Sequence, residues 1–276
     1  MFIEKVFKVA GFPDFHAMVC GDETQPLLIA LHGWLDNAAS FSALAPLLKK
    51  HYVVALDLYG HGHSPHLKEA AAYTFVNQLP ALSALFTSIT DKSFSILGHS
   101  MGAGIATVYA GCFPDQVHAL FLLDMVGPLS SPVSAFVARL QEATASVVNN
   151  VALEHTLYPN TEAMVERRAK LNQLTFDQVR PMVERAIMPA GNGFQWRCDT
   201  KLLLPSMMYM TEEQVHALLS KIASPVHVML GQSGYAVNSD FLMRRMHYLR
   251  QSTLTWFPGG HHFHMECPQK VAEYIN

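Results

Sequence analysis

Phe94-Ser95-Ile96-Leu97-Gly98-His99-Ser100-Met101-Gly102-Ala103-Gly104 is the stretch on which the reading of the chain turns. An apolar run ends in Gly-x-Ser-x-Gly, and small residues then open a helix. A serine hydroxyl is a poor nucleophile unless the backbone lifts it out of a sheet and a base meets it. A sharp strand-to-helix turn does the lifting, and it crowds the positions two before and two after the serine. Both are glycine here. The helix that follows points free N–H groups and a partial positive charge at any developing oxyanion. Ser100 is the expected nucleophile, and the Met101 N–H one expected oxyanion donor.

The remaining chemistry lies on either side. Leu27 to Leu31 reads as a strand running into His32-Gly33-Trp34-Leu35-Asp36. Acyl transfer needs a second oxyanion donor, and losing one typically costs about 3 to 4 kcal/mol. The Trp34 N–H is the expected partner, and His32, Gly33 and His99 are expected to contact substrate. Near the end stands Gly259-Gly-His-His-Phe-His-Met-Glu-Cys-Pro268. A base must hang from a loop after the last strand to reach the serine. His261 follows a glycine pair at that place, whereas His262 points away and His264 packs at the start of the last helix.

A third group must orient the imidazole. Its usual place, about three residues beyond the glycine ending the strand Val226 to Leu230, holds Gly234. Two aspartates are candidates. Asp240 lies farther along that loop, where it serves equally well as a helix N-cap. Asp124 ends the strand Val117 to Leu123, facing the crevice where parallel sheets bind ligands. Asp124 is the reading taken. Histidine clusters at His61, His63 and His66 and at His261, His262 and His264 raise a metal site, but neither has an acidic ligand at a fitting spacing, so no metal is expected. Asp57-Leu-Tyr-Gly-His-Gly-His-Ser64 reads as a structural turn after a strand.

Continuous apolar runs at Tyr52 to Leu56, Phe94 to Leu97 and Val117 to Leu123 alternate with helical spacing at Phe41 to Lys50 and Tyr73 to Ile89. This is the pattern of an α/β protein with a mostly parallel sheet and helices on both faces. An opening hairpin (Glu4 to Val9, Phe15 to Cys20) and later strands at Val226 to Leu230 and Thr253 to Phe257 bring the sheet to eight strands. Between Val133 and Met210 the texture turns helical. The expected division is a core of residues 1–128 and 211–276 with a helical insertion at 129–210. Half of the 276 residues are hydrophobic and 15% are charged, with 19 basic against 22 acidic side chains. That composition indicates a folded core without a nucleic-acid footprint. Four scattered cysteines, an N-terminus lacking a signal-peptide pattern and no long apolar run point to a soluble cytoplasmic protein. The expected partner is a small-molecule substrate, with no nucleic acid or membrane partner and a homodimer left open.

Leu31-His-Gly-Trp-Leu-Asp-Asn-Ala38, Gly98-His-Ser-Met-Gly102, Leu123-Asp-Met-Val-Gly-Pro128 and Gly259-Gly-His-His-Phe-His-Met-Glu266 together resemble the serine hydrolase-like protein family of the α/β-hydrolase superfamily. They are also similar to the haloalkane dehalogenases. The resemblance implies an α/β-hydrolase fold whose insertion is a cap over the site. The dehalogenases carry an aspartate nucleophile, so Ser100 argues against dehalogenation, while their acid after strand 6 supports Asp124. The combined expectation is a carboxylesterase-like serine hydrolase of small to medium apolar esters that needs no cofactor. Met164, Met182, Met188, Trp196, Met207, Met208, Tyr209 and Met210 suit either a tolerant pocket or packing between insertion and core. Arg139, Arg167, Arg168 and Arg185 fit carboxylate recognition or plain surface faces. The same triad acting on a carbon–carbon or thioester bond, or a binding protein on a hydrolase scaffold, are the alternatives.

Overall fold

The computed structural model describes residues 2–68, 73–149, 154–235 and 240–276. Its strands are β1 (Ile3–Phe7), β2 (Phe15–Cys20), β3 (Leu27–Leu31), β4 (Tyr52–Leu56), β5 (Phe94–His99), β6 (Val117–Leu123), β7 (Ile187–Ala190), β8 (Gly193–Trp196), β9 (Val226–Gly231) and β10 (Ser252–Phe257). The helices are α1 (Phe75–Ile89), α2 (Met101–Cys112), α3 (Phe136–Val148), α4 (Thr161–Asn172), α5 (Phe176–Ala186), α6 (Glu212–Leu219), α7 (Asp240–Met246), α8 (Phe263–Glu266) and α9 (Pro268–Ile275).

Eight strands share one sheet in the order β1-β2-β4-β3-β5-β6-β9-β10. β1 and β2 run antiparallel as the opening hairpin, β2 pairs antiparallel with β4, and every later pairing is parallel. The continuous apolar runs follow from burial on both faces. On β3, Ile29 and Leu31 enter one core with α1, α2 and α6, whereas Leu28 and Ala30 enter a second with Phe41, Phe263 and Val271. Alternation along each strand sends successive side chains to opposite layers. The carboxyl ends of β3, β5, β6 and β9 therefore open onto one rim.

Two local expectations are corrected. Phe41 to Lys50 is not one helix but two short 3-10 turns, Ala38–Phe41 and Ala45–Leu47. Asn37 caps the first, and Pro46, lacking an N–H, stands inside the second. The inserted segment also contains the antiparallel hairpin β7–β8, turning at Gly191 with φ +53°. Pro189 and the absence of a β-branched run concealed it.

The segment between β6 and α6 has its own apolar cluster, with Met164, Val165, Ala169, Val179 and Val183 at its centre. Met164 therefore packs within the insertion instead of lining a pocket. Polar ties join the insertion to the core. Arg185 of α5, 6% exposed, clamps the fully buried Asp57 (Nη2 to Oδ2, 2.8 Å) and reaches Glu4 at 2.5 Å. Asp57 also accepts the Ala38 and His63 N–H groups, each at 2.8 Å, and the turn is tight because a Cβ at Gly62 would overlap its carboxylate. Arg185→Met leaves Asp57 as an uncompensated buried charge. The expected loss in urea unfolding is about 3 to 5 kcal/mol, against a negligible change for the exposed Lys8→Met.

Candidate active site

Three of the four non-glycine residues with positive φ among the described residues stand on this rim: Leu35 (+59°), Ser100 (+51°) and Asp124 (+52°). Each such conformation costs on the order of 1 to 3 kcal/mol and persists only where the surroundings enforce it. Around Ser100 the enforcement is steric. A Cβ at Gly98 would lie 2.6 Å from Ala103 Cα, and one at Gly102 would overlap the Leu31 carbonyl. The first turn of α2 thus rests on the end of β3, beside the loop carrying Trp34. Among the described residues, neither the Trp34 N–H nor the Met101 N–H donates to a backbone carbonyl.

Ser100 and Asp124 follow adjacent paired strands, and the Ser100 N–H donates to the Leu123 carbonyl at 2.9 Å. The Asp124 side chain is wholly buried and accepts three hydrogen bonds: from Gly231 N (3.1 Å), Tyr235 N (3.0 Å) and His261 Nδ1 (2.6 Å). A carboxylate only accepts, so His261 carries its proton on Nδ1 and presents a lone pair at Nε2. Burial pulls His261 below its ordinary value, and the bond to Asp124 opposes that pull. The imidazole is neutral at pH 7. Tyr235 stacks over it at a centroid distance of 4.0 Å. Asp240, the other aspartate weighed from the sequence, is exposed at the start of α7.

Gly234 now has a physical account. A Cβ there would overlap the Asp124 carboxylate, so the space of an acid on the β9 loop is filled by the one on β6. Sequence reading noted the glycine but had no means of seeing what occupied its place. It also missed Glu266, which accepts the Gly260 N–H at 2.6 Å and crowds Gly259, held at φ +115°.

His32, Gly33 and His99, the residues expected at the substrate, are all buried. His32 Nδ1 donates to the Gly33 carbonyl at 2.7 Å and Nε2 accepts the Leu58 N–H at 3.0 Å, so neither ring nitrogen is available to a ligand. His99 Nε2 bonds the His261 carbonyl instead. Two of the four arginines weighed for carboxylate recognition are likewise engaged, Arg168 on Asp36 and Arg185 on Asp57. Arg139 lies over the Tyr209 ring.

A buried cluster that no sequence spacing announces lies beneath His261. Asp36 Oδ2 sits 3.3 Å from His262 Nε2 and 3.5 Å from His99 Nδ1, close enough for one ion to touch all three. Burial pushes the Asp36 carboxyl up, but His262, His99 and Arg168 outweigh it and hold the group well below the usual carboxylate range. The guanidinium of Arg168 already balances its charge, and Asn172 Nδ2 lies 3.3 Å from the same nitrogen of His262. A divalent ion would add uncompensated positive charge to a buried place, so the donor set suits a hydrogen-bonded network.

Burial pulls His61 down to about 3 and His264 well below its ordinary value. Both are neutral when folded and take up a proton near pH 6.5 when unfolded. Their stabilisation is complete above that pH and is lost as pH falls below it. Together they should lower stability by on the order of 2 kcal/mol between pH 7 and 5.5, read as a shift in urea midpoint.

A model of the Alpha/beta hydrolase family matches residues 28–274. The chain belongs to this family. Within it, the chain belongs to the serine hydrolase-like protein family. It is 31% identical to a serine hydrolase-like protein of Dictyostelium discoideum, over 92% of this chain and 74% of that one. It is 27% identical to a serine hydrolase-like protein of Danio rerio, over 90% and 79%. Among solved structures, a hypothetical protein of Pseudomonas aeruginosa PAO1 superposes with a TM-score of 0.92 at 29% identity, covering 99% of this chain and 97% of that one. The thioesterase domain of the curacin biosynthetic pathway shares the fold at a TM-score of 0.88 and 23% identity, over 100% and 99%. The α/β-hydrolase architecture thus extends through the strands that carry Ser100, Asp124 and His261. No helix among the described residues is long and apolar enough to cross a membrane.

Proposed function

We propose that the protein is a serine hydrolase that cleaves small to medium apolar carboxylic esters through an acyl-enzyme. The observation that carries this reading is the 2.6 Å bond from His261 Nδ1 to Asp124, formed beside a serine held at φ +51°. Ser100 Oγ attacks the ester carbonyl while His261 Nε2 takes its proton. Asp124 keeps the ring in the required tautomer and stabilises the imidazolium. The Trp34 and Met101 N–H groups receive the developing oxyanion. His261 then returns the proton to the departing alcohol, and water repeats the sequence on the acyl-enzyme. No cofactor enters these steps. The inserted segment acts as a cap, and four free cysteines suit a reducing cytoplasm.

A fluorophosphonate should add one phosphonyl group to the peptide containing Ser100, read by intact and peptide mass. No adduct, or an adduct elsewhere, would sink the proposal. The pH profile follows from the histidine. His261 must be neutral to act, and its pKa lies below the ordinary 6.5. For p-nitrophenyl butyrate, kcat/KM should climb with a midpoint below pH 6.5 and stay level to about pH 8. A midpoint near 7.5 would contradict the assignment.

A further inference from the structure

Two hydrogen bonds fix His261, and only one is made by its ring. The other reaches its main chain. His99, fully buried, lies under His261 with ring centroids 4.7 Å apart, and its Nε2 is 2.9 Å from the His261 carbonyl. A carbonyl only accepts, so His99 Nε2 bears the proton, and its Nδ1, 3.5 Å from Asp36 Oδ2, makes no hydrogen bond. The bond joins the end of β5, one residue before Ser100, to the loop after β10.

We propose that His99 is a positioning residue for His261, acting through the bond from its Nε2 to the His261 carbonyl. The inference rests on reading His261 as the base. The loop needs such a lock. Gly259 and Gly260 give it more backbone freedom than other residues would, and the Asp124 bond fixes the ring without fixing the main chain that carries it. Glu266 holds the loop at Gly260, and His99 holds it at the next residue. A base displaced by about 1 Å can lose on the order of 100-fold in rate.

The test compares His99→Phe, which keeps the ring's bulk and removes the N–H, with His99→Gln, whose amide can donate from nearly the same point. The readouts are the fluorophosphonate labelling rate at Ser100 and the linewidth of the His261 Cε1–H signal in histidine-13C protein. His99→Phe should label at least 10-fold more slowly, with a His261 line at least twice as broad. His99→Gln should recover labelling to within about 3-fold of wild type and restore the narrow line. His99→Leu, which also lacks the N–H, should move both readouts as His99→Phe does, and it carries the test if the phenylalanine variant does not fold. An unchanged His261 line in both His99→Phe and His99→Leu overturns the proposal. So does a glutamine variant as impaired as the phenylalanine one, since packing alone would then be the role. Absence of labelling in wild type would refute the serine hydrolase reading alone, because the line measures His261 whether or not Ser100 reacts.

Discussion

Ser100→Ala is expected to reduce kcat for p-nitrophenyl butyrate by about 10⁴- to 10⁶-fold while leaving the fold intact. The size follows from how such groups act together. Without the nucleophile, the base and its acid have nothing to activate, and only substrate binding and the oxyanion donors remain. Ser100→Gly should be equally inactive and should also gain about 1 kcal/mol in stability. Glycine adopts φ +51° without the steric penalty that serine and alanine both bear there. The pair of variants separates loss of chemistry from loss of structure. An alanine variant turning over at more than a hundredth of the wild-type rate would place the reaction on another residue.

Asp124→Asn should be nearly as severe, with kcat falling about 10⁴-fold. The amide can present its NH2 to His261 Nδ1, which then accepts, and the ring's only proton moves to Nε2. The lone pair that should take the Ser100 proton is then gone. Asp240→Asn should leave kcat within twofold, since that side chain is exposed at the start of α7. Equal activity in the Asp124 variant and collapse in the Asp240 variant would transfer the acid to the β9 loop.

What the sequence disclosed depended on whether the cause was local. Continuous apolar runs on β3, β4 and β6 delimited their strands to the residue, because burial on both faces leaves no room for polar side chains inside them. The elbow was legible because its glycines are demanded by its own turn. Asp124 was approachable because its place at a strand end is a matter of topology. Three-dimensional convergence was not legible. Asp36, His99, Arg168 and His262 come from four different places in the chain, and nothing in their spacing brings them together.

The space above Gly234 bears on how such a site can change over generations. A carboxylate at position 234 and the one on β6 would occupy the same volume, so the chain cannot hold both there. A lineage moving its acid from one strand to the other cannot acquire the new one before losing the old. It must pass through a crowded form or an inactive one. The place of the acid at this site is thus difficult to revise one residue at a time.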